Sequence, residues 1–303
     1  MTQSISHNRQ ELFGLTLVLL GALGFSSKAI IIKLAYSASA NVDAITLMSL
    51  RMVFSLPLFL LVACWHNRKP NVMPLKPKQW LMVSLLGVLG YYLSSYLDFT
   101  GLYYISAGLE RIILFLYPTF VVLFTALIYK RSIKLATALA LMLCYAGMIL
   151  IFIEQLSLDS TDIVFGSGLV LLSALIFAFF TMGSGIMTHS IGSTRFTAYT
   201  MSIAGIATLI HFAVSHRINL TELPSNVYYL TLFMAVFATV IPAFFMNAGI
   251  RRIGAGPAAI ISTTGPIGTL ILAFFILRET ITINQLAGTL LVLTGVYVIG
   301  RVK

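Results

Sequence analysis

Long apolar runs alternate with short polar stretches along the whole chain. A transmembrane helix needs about 20 predominantly apolar residues, and the usual range is about 17 to 25. Runs of this length cover residues 12–34, 43–66, 79–98, 106–129, 133–154, 163–187, 195–215, 227–248, 255–277 and 281–300. Stretches with Pro or several polar residues separate them, as at 67–77 and 154–162. The pattern predicts an all-α membrane protein with ten transmembrane helices, numbered spans 1 to 10.

The composition supports this prediction and argues against several classes of protein. Hydrophobic residues make up 59% of the 303 residues and charged residues only 9%. A soluble domain has about 25% charged residues. The chain therefore has too little polar surface to cover a soluble globule of its size. This composition argues against a soluble enzyme, a disordered chain and a nucleic-acid-binding domain.

Motifs of enzymes and cofactor sites are absent from the sequence. HExxH, GxSxG, CxxC and the Walker loop do not occur in it. Cys64 and Cys144 are each surrounded by apolar residues, which favours a packing role over a disulfide or a metal site. We therefore expect no enzymatic activity, no cofactor and no bound metal.

The basic residues are distributed unevenly between the predicted loops. With a cytoplasmic N-terminus, 13 of the 19 Lys and Arg residues fall on the cytoplasmic side, and only Lys33, Arg217 and Arg278 fall outside. The net charge of +10 therefore reflects loop composition, and it does not require nucleic acid as a partner. The bias predicts that both termini lie in the cytoplasm. Short loops and the lack of organelle signals favour a bacterial inner membrane.

The two halves of the chain contain matching residues at constant separations. At 148 residues Ala107-Gly108 matches Ala255-Gly256, Pro118 matches Pro266 and Gly147 matches Gly295, and at 152 residues Phe13-Gly14 matches Phe165-Gly166. Each half contains five spans, and this odd number turns the second half upside down in the membrane. The sequence therefore predicts two five-helix repeats of inverted topology, at 12–154 and 163–301. Transporters use such repeats because two similar halves can exchange conformations.

Both halves also resemble a known family. The run LYPTFVVLFTALIYKRSIKLATALALMLCYAGMILI and its partner TGPIGTLILAFFILRETITINQLAGTLLVLTGVYVIG share a mid-helix Pro, an apolar run, a short charged turn and a late Gly. They are similar to the two EamA repeats of the drug/metabolite transporter (DMT) superfamily, and the resemblance covers nearly the whole chain. It implies a ten-helix transporter, usually an exporter or exchanger of amino acids or other small metabolites. Glu110-Arg111 departs from the small or apolar residues common there, so a generic substrate does not follow.

Few ionisable residues are predicted at membrane depth. They are Lys28, Arg51, Asp98, Glu110 and Arg111, all in the outer half of their spans. Such groups cost a few kcal/mol each to insert and are functional candidates by default. The alternative is a set of buried ion pairs, or side chains that reach the outer headgroups. For Arg51 we favour this structural alternative.

Spans 3, 4 and 9 supply the remaining candidates. Glu110 and Tyr117 share one face of a helix. Pro118 and Pro266 each leave a backbone carbonyl without its helical donor, and such a carbonyl must find another partner in a membrane. Near Pro266, this partner is expected to be Ser262, Thr263 or Thr264. The predicted substrate-binding residues are Lys28, Tyr91, Tyr92, Ser95, Asp98, Glu110, Arg111, Tyr117, Ser262 and Thr263. The predicted hinge residues are Pro118, Gly265 and Pro266.

The function expected from these residues is secondary transport by alternating access. The mixed charges suit a small zwitterionic substrate, and the resemblance favours export of amino acids or related metabolites. Proton coupling is an option because buried carboxyl groups can titrate. The alternatives are a broad drug/metabolite carrier or a nucleotide-type carrier of the same superfamily, or a membrane protein that does not transport.

Overall fold

In a computed structural model, the described residues are 2–39, 41–68, 73–128, 130, 135–156, 160–215, 222–253, 261–262 and 264–301. Throughout these ranges the regular structure is helical. The first half contains α1 (Thr2–Ala38), α2 (Ala44–Asn67), α3 (Pro77–Leu86), a π-helical segment (Gly87–Leu93), α4 (Ser94–Tyr104), α5 (Ala107–Leu114), α6 (Tyr117–Ile128) and α7 (Leu135–Leu156).

The second half is helical in the same way. It contains α8 (Ser160–Ile191), α9 (Ser193–Ser215), α10 (Ser225–Ala235), a π-helical segment (Val236–Val240), α11 (Ile241–Ile253), α12 (Thr264–Leu272), a π-helical segment (Ala273–Leu277) and α13 (Ile283–Arg301). The π-helical segments let α3 and α4 continue as one rod, and likewise α10 and α11.

Many helices are long and apolar enough to cross a membrane. Within the described ranges, seven such stretches are Leu12–Ala38, Ala44–Asn67, Pro77–Tyr104, Ala107–Ile128, Thr161–Ile191, Ser193–Ser215 and Ser225–Ile253. Shorter apolar helices cover Ala138–Ile151, Thr264–Leu277 and Ile283–Val298. Large apolar side chains such as Leu61, Val214 and Ile283 are exposed on the outside of the bundle, as lipid contact requires. The chain is therefore a helical, multi-pass membrane protein.

The helix that carries Asp98 is longer than the sequence indicated. Span 3 was expected to end at residue 98, but α4 continues to Tyr104. The residues beyond Asp98 include Thr100, Gly101 and two Tyr, a mixture that is typical of a membrane interface. Their packing keeps them helical, because Gly101 allows the backbone of α8 to approach. Asp98 therefore lies inside a helix and not at its end.

Span 4 is divided into two helices at the predicted hinge residue Pro118. α5 ends at Leu114 and α6 begins at Tyr117. Pro118 has no backbone N–H with which to continue α5, whereas a Pro in the first turn of a helix is well tolerated. The backbone N–H and the hydroxyl of Thr119 donate to the carbonyl of Leu116, at 2.9 and 2.6 Å. The break is present, and motion about it stays a prediction.

Structural features recur at the separation seen in the sequence. Among the described residues, the non-glycine residues with positive φ are Lys130 (48°) and Arg278 (58°), which lie 148 residues apart. A Cβ on Gly101 of α4 would lie 2.8 Å from the carbonyl oxygen of Gly166 on α8. The equivalent Cβ on Gly249 of α11 would lie 2.9 Å from the carbonyl oxygen of Gly14 on α1. α4 thus packs closely against α8, and α11 packs closely against α1.

α7 and α13 also approach each other closely at glycine residues. The Cys144 thiol donates to the carbonyl of Val292 over 3.6 Å, between positions 148 residues apart. A Cβ on either Gly147 or Gly288 would lie 2.5 Å from the carbonyl oxygen of the other, so the two backbones touch where they cross. This crossing joins α7 in the first half of the chain to α13 in the second half.

Candidate functional site

The five ionisable residues predicted at membrane depth lie together in the bundle. Lys28 comes from α1, Arg51 from α2, Asp98 from α4, and Glu110 and Arg111 from α5; we call this set the charge cluster. The Nζ atom of Lys28 lies 2.6 Å from Oδ2 of Asp98. Nε of Arg111 lies 3.7 Å from Oε2 of Glu110, and its Nη2 donates to the carbonyl of Phe25 on α1 over 3.0 Å. Four separate helices therefore meet at this point.

Helix α5 positions two members of the cluster. The Ser106 hydroxyl accepts a hydrogen bond from the backbone N–H of Leu109 and so fixes the start of the helix. Glu110 follows in the first turn, where the partial positive charge of the helix end favours a carboxylate. Arg111 comes next and points to the carbonyl of Phe25, which ties α5 to α1.

Several charged atoms of the cluster lack a hydrogen-bond partner. Glu110 is 0% exposed and Asp98 is 1% exposed. No described N–H group donates to either oxygen of Glu110 or to Oδ1 of Asp98, and no described oxygen accepts from Nε and Nη2 of Arg51 or from Nε of Arg111. Buried charges without partners destabilise a fold, so a structural ion-pair network would be expected to satisfy them. The arrangement suits a site that binds something polar.

Phe99 connects two of the cations. The Lys28 ammonium lies 5.7 Å from the centre of its ring, and the Arg51 guanidinium carbon lies 4.7 Å from it. Cation–π contacts of this kind stabilise a buried positive charge without neutralising it. Arg51 therefore has an aromatic packing partner, whereas its Nε and Nη2 atoms have no described acceptor.

The tyrosines and Ser95 of span 3 point to different surroundings. The ring of Tyr91 packs edge-on against that of Phe180, with 4.7 Å between the ring centres. The Tyr92 hydroxyl is hydrogen bonded to Nδ1 of His211 over 3.0 Å, a residue that the sequence did not single out. Ser95 is half-buried, one turn before Asp98. Tyr117 lies beyond the break, with its ring 5.1 Å from that of Phe177.

The candidates of span 9 are placed by α1. The Gly265 carbonyl accepts a hydrogen bond from the Ser26 hydroxyl at 2.9 Å, and the Thr269 hydroxyl donates to the Ser26 carbonyl at 3.1 Å. Pro266 is buried beside them. Ser26 precedes Lys28 by two residues, so the predicted hinge residue Gly265 contacts the helix that carries Lys28. Sequence reasoning missed Ser26, because a serine in an apolar helix carries no distinctive signal.

The hydroxyl groups of residues 262–264 were expected to bond the carbonyl that Pro266 leaves without a donor, and this expectation is only partly met. The Thr264 hydroxyl donates to the carbonyl of Ile261 over 2.8 Å and not to that of Ser262, since a threonine in a helix reaches back three or four residues. The Ser262 hydroxyl lies 3.8 Å from the sulfur of Met246. Thr263 lies outside the described residues.

A glutamate from the second half caps the first turn of α5. The Glu279 carboxylate accepts hydrogen bonds from the backbone N–H groups of Ala107 and Gly108, at 3.0 and 3.3 Å. It therefore satisfies two donors that the helix itself cannot use. Glu279 joins the two halves one turn before Glu110. This contact was not predictable from the sequence, because it joins residues that are 172 positions apart.

A separate pocket of about 270 Å³ lies where α2 begins and where α4 and α9 end. Its lining includes Asp43, Tyr96, Thr100, Tyr103, His211 and Ser215. In the described part of the chain, no three His, Cys, Asp or Glu side chains are placed to hold a metal ion. The charge cluster, with its unpartnered atoms, remains the stronger candidate for a binding site.

A bundle of apolar helices that buries charges of both signs at membrane depth is the architecture of a membrane transporter. A sequence profile of the EamA-like transporter family matches residues 12–153 and 164–301. The chain belongs to this family, and it is thereby a transporter of the DMT type.

Its relatives agree with this assignment. The chain is 33% identical to the uncharacterized transporter YcbK of Bacillus subtilis (strain 168), over 95% of this chain and 93% of that protein. It is 26% identical to the uncharacterized transporter sll1319 of Synechocystis sp., over 93% and 91% of the two chains. A crystal structure with 14% identity superposes on 96% of this chain and 95% of its own with a TM-score of 0.64. At that identity the likeness concerns the fold alone.

Proposed function

We propose that this transporter is a secondary carrier that exports an amino acid or a related zwitterionic metabolite by alternating access. The charge cluster carries this proposal. It combines buried anions and cations, and it retains unpartnered donors on Arg51 and Arg111 and unpartnered acceptors on Glu110. A dry structural network would use these atoms, whereas a binding site keeps them for its substrate.

The two ends of a zwitterion match the two kinds of unpartnered atom. A substrate carboxylate would accept hydrogen bonds from the guanidinium groups of Arg51 and Arg111, which present planar, permanently charged donors. A substrate ammonium would donate to Glu110. Lys28 forms an ion pair with Oδ2 of Asp98, so these two residues together add little net charge to the site. A substrate of one charge sign would leave one set of groups without a partner.

We further propose ten spans arranged as two five-helix repeats of inverted topology. The recurrence of positive φ at Lys130 and Arg278 supports this arrangement. So do the exchanged contacts of Gly101 and Gly249. A site between two such halves can open to either face while each half keeps its own packing.

The location we propose is a bacterial inner membrane with both termini in the cytoplasm. The excess of Lys and Arg in alternate loops supports this orientation. Cysteines introduced at exposed residues in the intact cell give the test. Arg68→Cys should resist a membrane-impermeant thiol reagent, and Glu222→Cys should react with it.

Binding and flux measurements test the transport function. Purified protein is screened for thermal stabilisation by amino acids and common metabolites, and each hit is measured by counterflow in proteoliposomes. We expect an amino acid among the hits. Glu110→Gln should reduce its counterflow by about tenfold or more, which corresponds to the loss of one charged contact. The exposed Glu222→Gln is the matched control and should behave as the wild type.

Other outcomes would contradict the proposal in distinct ways. Transport of lipophilic compounds alone would indicate a broad drug carrier, and transport of nucleotide conjugates would indicate a nucleotide-type carrier. Cysteines placed along α6 and α12 report on alternating access. If their labelling stayed the same with and without ligand, the protein would not be a carrier.

A further inference from the structure

The pocket at the start of α2 lies on the opposite side of α4 from the charge cluster. Three residues of α4, Tyr96, Thr100 and Tyr103, line this pocket of about 270 Å³. An α-helix turns by about 100° per residue, so these three residues lie roughly 140° to 160° around the helix axis from Asp98. Asp98 faces Lys28 on α1, with 2.6 Å between the two charged atoms. The pocket is therefore separate from the charge cluster, and we call it the aromatic pocket.

The aromatic rings that line this pocket stand at steep angles to one another. The rings of Tyr96 and His211 meet at 72°, with 5.1 Å between their centres. The rings of Tyr103 and Tyr104 meet at 76°, with 5.3 Å between their centres. In such edge-to-face pairs, one ring of each pair has both of its faces uncovered by the other ring. Because the Tyr92 hydroxyl is hydrogen bonded to Nδ1 of His211, the imidazole is also held in place.

The polar groups of the lining favour a positively charged ligand. Among the described residues that line the aromatic pocket, Asp43 is an acid and none is Lys or Arg. Oδ1 of Asp43 accepts a hydrogen bond from the backbone N–H of Thr46 at 2.9 Å, which fixes the carboxylate at the start of α2. The hydroxyls of Thr100 and Ser215 donate to carbonyls four residues earlier in their own helices, at 2.7 and 2.6 Å. Their protons are thereby used, so these two oxygens act as acceptors.

We propose that the aromatic pocket binds a small organic cation whose ammonium group lies against the tyrosine rings and near the carboxylate of Asp43. Aromatic faces attract ammonium groups, and pockets built from several rings are the usual sites for quaternary ammonium ligands. Drug-sized ligands occupy pockets of about 300 to 1,000 Å³, so a volume of about 270 Å³ suits a smaller molecule. The site does not depend on the proposed transport function. In the orientation proposed above, it opens to the outside, so a soluble cation reaches it from external water.

A pair of ligands of the same shape tests the charge requirement. Choline is compared with dimethylbutanol, its neutral analogue in which a carbon atom replaces the nitrogen. The full-length protein is kept in a maltoside detergent, which carries no ammonium group, and saturation-transfer NMR follows the methyl signal of each ligand during a titration. We expect saturable transfer to choline and little or none to dimethylbutanol. Equal binding of the two ligands would overturn the proposal, because the pocket would then recognise shape alone.

Variants of the lining locate the bound cation. Asp43→Asn and Tyr96→Leu should each weaken choline binding by about threefold or more. Asn caps a helix as well as Asp does, so Asp43→Asn removes the charge and keeps the start of α2. Tyr96→Phe keeps the ring and should bind choline as the wild type does. The matched controls are Asp162→Asn and Tyr229→Leu, at exposed residues outside the pocket.

Unfolding temperatures without ligand show that each variant is folded. If folded Asp43→Asn and Tyr96→Leu bound choline like the wild type, the proposal would be wrong. It would also be wrong if Glu110→Gln removed binding while these two variants kept it, because the cation would then occupy the charge cluster.

A final comparison separates a soluble cation from a lipid headgroup. Nanodiscs with one phosphatidylglycerol content contain either phosphatidylethanolamine or an uncharged galactolipid as the second lipid. Equal choline affinity in the two is the expected result. Weaker binding with phosphatidylethanolamine would show that a lipid ammonium takes the pocket, and it would overturn the assignment to a soluble ligand.

Discussion

The two halves of the chain share a scaffold but differ in their chemistry. Gly101 and Gly249 make equivalent backbone contacts, and Lys130 and Arg278 share an unusual backbone conformation. The residues 148 positions after Asp98, Glu110 and Arg111 are Met246, Ala258 and Ala259, and the residue 152 positions after Lys28 is Phe180. The backbone features recur in both halves, whereas these four charged residues of the cluster have uncharged counterparts in the second half.

This difference separates two requirements of a carrier. Exchange between two conformations needs halves with similar backbones. Recognition needs buried charges, which are expensive in a membrane. In the alternating-access cycle that we propose, one set of charges is sufficient, because a central site would serve both faces in turn. Mutations at backbone contacts that recur in both halves should therefore reduce stability equally. Mutations in the charge cluster should have larger effects than mutations at the matching positions of the second half.

Lys28→Met should have the largest effect on stability. It leaves the buried carboxylate of Asp98 without its cation, and breaking one side of such a pair costs about 3 to 5 kcal/mol. Reversible unfolding in detergent measures this loss. Lys78→Met, on an exposed lysine, is the control. The double variant Lys28→Met, Asp98→Leu should recover most of the stability, and a double variant as unstable as the single one would contradict the role of the pair.

Gly101→Ala and Gly249→Ala should destabilise the protein equally. Each new methyl group would lie within 3 Å of a backbone carbonyl of a neighbouring helix, and overpacking of this kind costs about 1 to 3 kcal/mol. Gly168→Ala on α8 is the control, because nothing lies within 4 Å of its Cβ position. The same unfolding assay applies. Unequal losses at Gly101 and Gly249 would show that the two contacts are not equivalent.

Glu279→Gln should have a smaller effect, of about 1 kcal/mol, because the amide keeps one acceptor at the start of α5 and loses the charge. Glu222→Gln is the exposed control. Cysteine accessibility at the outer end of α5 should rise in Glu279→Gln alone. An unchanged accessibility would mean that this contact does not hold the halves together.

Met246→Leu should have the smallest effect, below about 1 kcal/mol, because it conserves volume and removes only a weak contact with the Ser262 hydroxyl. Its counterpart in the first half, Asp98→Asn, should abolish amino-acid counterflow. Equal losses of counterflow in the Met246→Leu and Asp98→Asn variants would contradict the distinction between the two halves.

The structure brings together the charged residues that the sequence analysis predicted at membrane depth. Physical reasoning could predict this because isolated charges are too costly in the bilayer, so they gather. Pro118 likewise marked a helix break, because proline lacks the donor that a continuous helix needs. Both signals are local properties of single residues.

Contacts that depend on distant segments were not predictable. The roles of Ser26, His211 and Glu279 come from partners more than 100 residues away in the sequence. The π-helical segments within α3–α4 and α10–α11 leave no periodic signal in a chain that is apolar on every side. The contacts of Tyr91 with Phe180 and of Tyr92 with His211 were likewise not predictable, because these partners are distant in the sequence.

The exchanged glycine contacts have a consequence for biogenesis. Gly101 of α4 packs against α8 and Gly249 of α11 packs against α1, so each half of the chain exposes a strip of backbone that a helix of the other half covers. We therefore expect the N-terminal helices of a nascent polypeptide to pack fully only after residues beyond 160 have entered the bilayer. A product truncated before residue 160 should accordingly be recognised by membrane quality control.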